Sequence, residues 1–277
     1  SGGMKQRALI ALSMVLEPEV LVMDEPTAAL DLLMQRSILT LLEEVKEKYD
    51  ITLIFITHDL PLVCELADRM AIMYAFEFAE VGPTDKILEG ATHPYTRALL
   101  NSTPNLTSDI DMMQPIPGSS PDPVETPSGC SYHPRCPLAT AECEQTNPDY
   151  HEVGEDHFSA CFHWEDSEEA IPYTRYAPSE QQKSAEEIAE ERGERREETM
   201  GEPMLRLDDV DVHFELNTGF LNFWRETETV RAVDGVTLDI PENEVIALIG
   251  ESGCGKTTLG KTAIGLQRPT DGVVSYR

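Results

Sequence analysis

The sequence predicts an α/β protein with a buried parallel sheet, an antiparallel β subdomain and an irregular extension that contains cysteines. The apolar runs PEVLVMDEP and DITLIFITHD have strand length and end in acidic or polar residues, which is typical of parallel strands buried on both faces. Between them, residues 30–49 place Leu39, Leu42 and Val45 at helical spacing, so the segment predicts a strand–helix–strand unit.

Composition divides the chain into four segments. Residues 1–101 and 204–277 are expected to be globular, and the second begins with two antiparallel strands, MLRLDDVDVHFEL and VRAVDGVTLDI. Residues 102–164, called the extension below, begin rich in Pro, Ser and Asp and continue into a stretch with four cysteines. Residues 165–203 form an acidic linker, which is either a solvated helix or disordered.

The charge balance limits the partners. The chain has 21 Lys+Arg and 51 Asp+Glu, a net charge of −30, which repels phosphate backbones and argues against nucleic acid as a partner. Such an excess favours solubility in general, and we interpret it as the halophilic composition of a salt-loving cell. The chain starts at Ser1 without a signal peptide or a membrane-spanning run. Its six cysteines do not resemble a secreted disulfide scaffold, so the expected location is cytoplasmic.

Residues 250–258, called the glycine loop below, carry the strongest motif. They fit the pattern G-x-x-x-x-G-K-[ST] between the strand NEVIALIG and a helix. Glycines let backbone N–H groups surround phosphate oxygens, Lys256 reaches the β- and γ-phosphates, and Thr257 ligates Mg²⁺. The motif predicts a P-loop NTPase (RecA-like) core that binds ATP and Mg. The candidate nucleotide-binding residues are Gly250, Glu251, Ser252, Gly253, Cys254, Gly255, Lys256, Thr257 and Thr258.

Two further segments suit the same chemistry. The strand VLVMDEP ends in Asp24, a candidate Mg²⁺ ligand, and Glu25, a candidate base for the attacking water. His58 ends the next strand, where it can contact a γ-phosphate. Alone, the acidic pair is better explained as a solvated strand end, and a single histidine of this kind is usually structural.

Taken together, SGGMKQR, MDEPTAALD and ITHDL resemble the ATP-binding-cassette ATPases. The resemblance implies that Ser1, Gly2 and Gly3 belong to the signature loop, and that Asp31 belongs to the D-loop. It also implies that Glu25 is the catalytic carboxylate and His58 the switch histidine. In that family two ATPase domains enclose two nucleotides, and the signature loop of one domain faces the glycine loop of the other.

The order of the motifs is unusual because the glycine loop follows Asp24 instead of preceding it. We expect two tandem domains, with residues 1–101 as the C-terminal half of the first and residues 204–277 as the N-terminal part of the second; a circular permutation is the alternative. Ser1 begins inside a motif, and Arg277 precedes the glutamine loop and helical subdomain that the family carries. We therefore expect no coupled ATPase activity from this chain alone.

The two homologous pieces are expected to dock as one core. An isolated half-sheet leaves buried faces and strand edges exposed, and each piece offers an approximate version of the surface that the other needs. Docking would bring Lys256 close to Asp24, while the signature loop would lie away from the glycine loop. In a pair of complete domains, Asp24, Glu25 and His58 would instead serve the other nucleotide site.

Residues 93–164 resemble the C-terminal extension of peptide (dipeptide, oligopeptide, nickel) importer ATPases, although Phe76 stands where that family usually has Gly, which puts a turn in doubt. The resemblance implies an ATPase at the cytoplasmic face of the membrane. Its partners would be two membrane permease subunits, an extracellular peptide-binding protein acting through them, and a second ATPase domain of the same chain. The alternatives are a DNA-repair or chromosome ATPase and a regulatory metal module.

Four cysteines of the extension, Cys130, Cys136, Cys143 and Cys161, are candidate ligands of a [4Fe–4S] cluster, which some members of the family carry there. Their spacing does not favour zinc, a reducing cytosol disfavours disulfides, and four reduced cysteines packing a small lobe remain the alternative. The resemblance also implies that adenine stacks on an aromatic ahead of the glycine loop. We choose Phe214, with Phe223 and Trp224 as competitors.

Overall fold

A computed structural model of the chain describes residues 2–103, 115–172, 203–216 and 228–277. Two sheets organise these residues. The strands are β1 (Val20–Asp24), β2 (Thr52–Thr57), β3 (Arg69–Tyr74), β4 (Glu77–Pro83), β5 (His151–Gly154), β6 (His157–Ser159), β7 (Leu205–Leu216), β8 (Glu228–Ile240), β9 (Val245–Ile249) and β10 (Asp271–Tyr276).

The helices lie between and around these strands. Among the described residues, no helix combines the length and apolar character needed to cross a membrane. Short 3₁₀ turns occupy Met14–Leu16, His133–Arg135 and Trp164–Asp166. The α-helices are α1 (Gly2–Ser13), α2 (Leu32–Tyr49), α3 (Leu60–Leu66), α4 (Thr84–Gly90), α5 (Pro94–Ser102), α6 (Ala141–Gln145), α7 (Ser167–Ala170) and α8 (Lys256–Ala263).

The larger sheet has the strand order β1-β2-β9-β3-β4-β6-β5. Strand β9 lies parallel between β2 and β3, with Leu53 opposite Val245 and Arg69 opposite Ile246. The expected parallel sheet is confirmed, and so is the expected docking of the two distant pieces into one core. Burial explains the arrangement, because every residue of β2, β3 and β9 is buried. If β9 were exposed to solvent, the hydrophobic free energy gained by burying its five side chains would be lost.

Alternate side chains of the central strands enter two different cores. Leu53 and Phe55 of β2 pack with the helices α2 to α5 on one face. Ile54 and Ile56 face the other way, towards α8 and the smaller sheet. This alternation is the period-two pattern of a strand, and a residue on either face is withdrawn from water, as the continuous apolar runs predicted.

The smaller sheet is antiparallel, in the order β10-β7-β8. Its inner residues Val212 and Val233 join the core that also contains Leu248 of β9 and Leu259 of α8. The antiparallel β subdomain expected from the sequence is therefore present, and it shares a core with α8 on one face of the main sheet.

The extension is more regular than its composition suggested. Strands β5 and β6 form a short hairpin, and β6 pairs antiparallel with β4, so the hairpin continues the main sheet. The Tyr150 hydroxyl donates to the Phe78 carbonyl at 2.8 Å, which fixes the hairpin on β4. Strands of three and four residues are too short for an alternation pattern to reveal. Most of the acidic linker lies outside the described residues.

The turn that Phe76 placed in doubt is formed. Ala75 and Phe76 connect β3 to β4 with φ angles of 45° and 79°, the left-handed values of a tight hairpin turn that usually contains Gly or Asn. The backbone of Phe76 compensates, because its N–H donates to the Cys254 carbonyl at 3.1 Å and its carbonyl accepts from Asp234 at 3.0 Å. The turn is thereby tied to the glycine loop and to β8.

Candidate functional site

The glycine loop connects the carboxyl end of β9 to the amino end of α8. Gly255 has a φ of 107°, and a Cβ atom there would lie 2.2 Å from the Ala232 carbonyl oxygen. A Cβ atom on Gly250 would lie 2.2 Å from the Met73 carbonyl oxygen. Glycine is therefore required at both positions by neighbouring backbone as well as by conformation. The first turn of α8 directs its N–H groups towards the loop, an arrangement suited to an anion.

Lys256 folds back over the glycine loop. Its ammonium donates to the carbonyls of Gly250 at 2.8 Å and Glu251 at 2.9 Å, and only 8% of the residue is exposed. It also lies 3.7 Å from the Cys254 sulfur, where burial raises the pKa of the thiol. These contacts hold a positive charge at the concave side of the loop, where phosphate oxygens can replace the carbonyls as partners.

Thr257 and Asp24 form the link between the two pieces of the chain. The Thr257 hydroxyl donates to Asp24 Oδ2 at 2.9 Å, although 232 residues separate them in sequence. The prediction that Lys256 and Asp24 lie close enough to share one Mg-nucleotide is therefore supported, because Thr257 directly follows Lys256. A hydroxyl and a carboxylate at hydrogen-bonding distance are a suitable oxygen pair for Mg²⁺, directly or through water.

Glu25 and His58 lie beside this pair. His58 Nδ1 and Glu25 Oε1 are 2.8 Å apart, and the two side chains are 70% and 33% exposed. Glu25 has a φ of 49°, and its N–H donates to the Ile56 carbonyl at 2.9 Å, which ties the end of β1 to β2. Both side chains are thus held at the carboxyl edge of the sheet while remaining open to a bound ligand and to water.

The start of α1 is placed against α2. A Cβ atom on Gly2 would lie 3.0 Å from a methyl group of Leu30, and Gln6 donates to the Pro26 carbonyl at 2.7 Å. Gly3 is buried and lies against Met34. The Asp31 carboxylate accepts from Met34 N and caps α2. Ser1 lies outside the described residues, and the separation of the signature and glycine loops stays a prediction.

The aromatic expected to meet adenine is partly exposed. Phe214 lies on β7 opposite Val230 and is 41% exposed. Val230 is two residues from Ala232, whose carbonyl oxygen lies against Gly255. This places Phe214 on the strand pair that borders the glycine loop. Phe223 and Trp224 lie outside the described residues.

The four cysteines of the extension line a single cavity, called the thiol cavity below. Its wall also contains His93, Tyr132, His133 and His163. All four cysteines are reduced, although they come from different parts of the extension: two flank a 3₁₀ turn, one lies in α6 and one follows β6. The structure thus brings the four candidate ligands together at one cavity, and their binding of a cluster stays a prediction.

Polar groups lie beside each sulfur of the thiol cavity. The His163 N–H donates to Cys161 Sγ at 3.4 Å, and Thr140 Oγ1 lies 3.4 Å from Cys143 Sγ. Backbone groups of Tyr132 and Leu138 serve Cys130 and Cys136. Burial raises the pKa of Cys136 to about 11 and that of Cys161 to about 12. Four thiols that line one cavity are the type of ligand set that an iron–sulfur cluster uses, and neighbouring polar groups stabilise such a cluster.

One contact of the glycine loop was missed from the sequence. Arg135 of the extension donates to both carboxylate oxygens of Glu251, at 2.8 and 3.1 Å. Tyr95 of α5 accepts from the Glu251 N–H at 3.1 Å. The sequence pattern of the loop leaves Glu251 unrestricted, and no spacing relates it to an arginine in an irregular segment.

Three family models match different parts of the chain. A model described as "ABC transporter" matches residues 233–277, and one described as "Oligopeptide/dipeptide transporter, C-terminal region" matches residues 79–143. An AAA domain model matches residues 1–65. The matches fall on the glycine-loop piece, on α4, α5 and most of the extension, and on the piece with Asp24 and Glu25.

Curated relatives cover the same segments. The chain is 45% identical over 166 residues to a dipeptide transport ATP-binding protein, DppD, of Caldanaerobacter subterraneus subsp. tengcongensis, which covers 60% of this chain and 51% of the relative. DppD of Bacillus subtilis is 44% identical over 148 residues, or 53% and 44% of the two chains. An oligopeptide transport ATP-binding protein, OppD, of Mycobacterium tuberculosis is 33% identical over 99% of this chain and 43% of its own. The chain spans about half the length of these relatives.

Proposed function

We propose that this chain, which contains ABC transporter ATPase sequence together with an oligopeptide/dipeptide transporter C-terminal region, binds Mg-ATP as part of an ATPase that hydrolyses ATP to power peptide import, and that the chain alone lacks coupled ATPase activity. The observation that carries the proposal is the 2.9 Å hydrogen bond between Thr257 and Asp24. It supports a single site in which the glycine loop and the acidic strand end serve one nucleotide, as phosphoryl transfer requires.

The proposed roles follow the geometry. Residues 250–258 surround the phosphates, Lys256 moves from its two carbonyl partners to the β- and γ-phosphates, and Thr257 and Asp24 hold Mg²⁺ directly or through water. Glu25 orients and activates the attacking water, while His58 supports the γ-phosphate; their 2.8 Å contact favours joint action. Phe214 stacks on adenine.

We further propose that Ser1, Gly2, Gly3 and Asp31 face a nucleotide held by a second ATPase domain. The exposure of the neighbouring Met4, at 71%, and Leu9, at 58%, supports an interface on α1. Residues 1–101 and 204–277 would be parts of two tandem domains joined by the extension and the acidic linker. In a pair of complete domains, Asp24, Glu25 and His58 would serve the other nucleotide site, whereas in this chain they meet the glycine loop in one docked core. An alignment with the longer OppD that covers 99% of this chain supports that order over a circular permutation.

The names of the relatives support the substrate class, a di- or oligopeptide, with nickel as the alternative that the resemblance allows. The proposed partners are two membrane permease subunits, an extracellular peptide-binding protein that acts through them, and the second ATPase domain. The chain would then work at the cytoplasmic face of the membrane. The net charge of −30 supports both the absence of a nucleic-acid partner and a halophilic source.

We also propose that the thiol cavity holds a [4Fe–4S] cluster through Cys130, Cys136, Cys143 and Cys161. Such a cluster supplies a one-electron redox centre when bound. Anaerobically purified protein should be brown and contain about four Fe per chain. Cys136→Ser should lose the iron, whereas Cys64→Ser, which changes a cysteine of α3, should retain it. Colourless protein with stoichiometric zinc would contradict the proposal.

The nucleotide proposal is tested by binding. Lys256→Ala should weaken the affinity for a fluorescent Mg-ATP analogue at least tenfold, because a charge-assisted contact to phosphate is lost. Lys261→Ala is the matched control, since Lys261 is an exposed lysine of the same helix, and its affinity should stay within about twofold of wild type. Glu25→Gln should bind the analogue as wild type does. Equal affinities of Lys256→Ala and wild type would refute the assignment.

A further inference from the structure

Glu251 is the second residue of the glycine loop, and three groups from the neighbouring helix α5 and the extension hold it. Arg135 takes both carboxylate oxygens, the Ser120 hydroxyl donates to Oε2, and the Tyr95 hydroxyl accepts from the backbone N–H. Arg135 holds the pKa of the Glu251 carboxyl below its usual range, against the opposing effect of burial. The glycine loop is therefore anchored by the extension as well as by α5.

Arg135 is itself tightly fixed. Its side chain is only 6% exposed, its Nε donates to the Pro117 carbonyl at 2.7 Å, and Nη1 lies 3.2 Å from the Tyr74 hydroxyl. The guanidinium carbon lies 5.6 Å from the centre of the Tyr74 ring and 5.9 Å from that of Tyr132. A planar guanidinium that lies near two aromatic rings and forms two hydrogen bonds to one carboxylate allows little movement of that carboxylate.

The position of Arg135 is set by the turn that carries two of the cavity's thiols. The His133 N–H donates to the Cys130 carbonyl, and the Cys136 N–H donates to the His133 carbonyl. The Arg135 N–H donates to the Tyr132 carbonyl at 3.0 Å and closes the same turn. The backbone of this turn therefore lies at the thiol cavity, whereas the Arg135 side chain reaches the glycine loop. One short, rigid segment thus connects the two sites.

Arg135, we propose, is a positioning residue that orders the glycine loop for nucleotide, with its own place fixed by the Cys130–Cys136 turn. The inference rests on the proposed binding of nucleotide to that loop. A cradle of backbone N–H groups binds phosphate best when it is preorganised. Arg135 limits the motion of residue 251 without touching the nucleotide, and it thereby lowers the conformational entropy that the loop loses on binding.

The experiment measures loop order and nucleotide affinity separately. In Arg135→Ala, hydrogen–deuterium exchange should accelerate in peptides that cover residues 250–256, and Mg-ATPγS affinity should fall about tenfold, the equivalent of one strong charge-assisted hydrogen bond. Arg135→Lys should give an intermediate loss of affinity, because an ammonium group cannot form the two parallel hydrogen bonds of a guanidinium to one carboxylate. Glu251→Ala should resemble Arg135→Ala, and the double variant should lose little more than either single variant.

The matched control is Arg206→Ala, which removes another two-pronged pair, from Arg206 to Asp239 at 2.7 and 2.8 Å on the smaller sheet. It should change neither measurement. All affinities are compared under conditions where circular dichroism shows fully folded protein, so that a loss of stability alone cannot move them. Unchanged exchange of residues 250–256 in Arg135→Ala overturns the anchoring, and unchanged affinity with faster exchange overturns the role in binding. A wild-type chain that binds no Mg-ATPγS refutes the proposed function instead, and the exchange data still decide the anchoring.

Discussion

We expect substitution of Asp68 to destabilise the docking of β9 more than substitution at most other positions. The carboxylate accepts from Lys46 Nζ at 2.7 Å and from Val245 N at 2.8 Å, and the side chains of Lys46 and Asp68 are only 9% and 8% exposed. Asp68→Asn keeps an acceptor for Val245 and removes the charge, so the Lys46 ammonium remains buried without its counter-ion. Breaking such a pair costs about 3 kcal/mol or more, a large share of a typical total of about 5–15 kcal/mol. Asp68→Ala should cost about 1–3 kcal/mol more, because the N–H of Val245 also loses its acceptor.

Urea unfolding followed by far-UV circular dichroism measures these losses. The slope of the unfolding free energy against urea concentration should stay constant, while the urea concentration at the midpoint of unfolding falls. In a double-mutant cycle with Lys46→Met, the double variant should be more stable than the sum of the single losses predicts. Arg36→Ala provides the control, since its 3.5 Å pair with Glu65 is 53% and 28% exposed and such pairs contribute about 0–1 kcal/mol. If Asp68→Asn changes the unfolding free energy by less than about 1 kcal/mol, or if the two losses are additive, the bridge does not hold β9.

Two more predictions concern the glycine loop and pH. Gly255→Ala should destabilise the chain by several kcal/mol and abolish binding of a Mg-ATP analogue, because its φ is 107° and Ala232 blocks the Cβ position at 2.2 Å. Gly265→Ala, with a φ of 72° and open space around the Cβ, should cost only about 1–2 kcal/mol. Burial raises the pKa of Glu77 from 4.5 to about 7, so the unfolding free energy should fall as the pH rises from 4.5 to 7, where the unfolded chain loses a proton that the folded chain keeps. Glu77→Gln should therefore stabilise the chain at pH 8, by about 1–3 kcal/mol, and not at pH 4.5; equal effects at both pH values would contradict the assigned cause.

The central sheet and the glycine loop could be predicted because their physical requirements leave a local pattern. A strand buried on both faces must be continuously apolar, as in TLIFIT and VIALI. A loop that wraps phosphate must place glycines where a Cβ would collide, as at Gly250 and Gly255. The position of Asp24 follows as well, since residues at the carboxyl ends of neighbouring parallel strands meet at one edge of the sheet.

The remaining features could not be predicted because their causes are not local. Arg135 is one arginine in an irregular segment, and its role depends on Tyr74, Tyr132 and Glu251, which lie up to 116 residues away. The hairpin of β5 and β6 depends on the free edge of β4. Phe76 keeps a left-handed φ in a turn where glycine is usual, because Cys254 and Asp234 bind its backbone. In each case distant contacts override the local preference.

The register of β9 connects these distant contacts to the proposed nucleotide site. At the start of the strand, Asp68 binds Val245 N and Thr52 Oγ1 accepts from Asn243 N at 3.0 Å. Beyond its end, Tyr95 binds Glu251 N. A shift of one residue would turn every β9 side chain to the opposite core and break all three bonds. The same shift would move the loop by about 3.3 Å along the sheet, which exceeds the reach of the hydrogen bond between Thr257 and Asp24. The position of Lys256 relative to Asp24 is therefore fixed by contacts at both ends of β9, and residues that never touch nucleotide, such as Asp68 and Arg135, should affect the site as strongly as several that do.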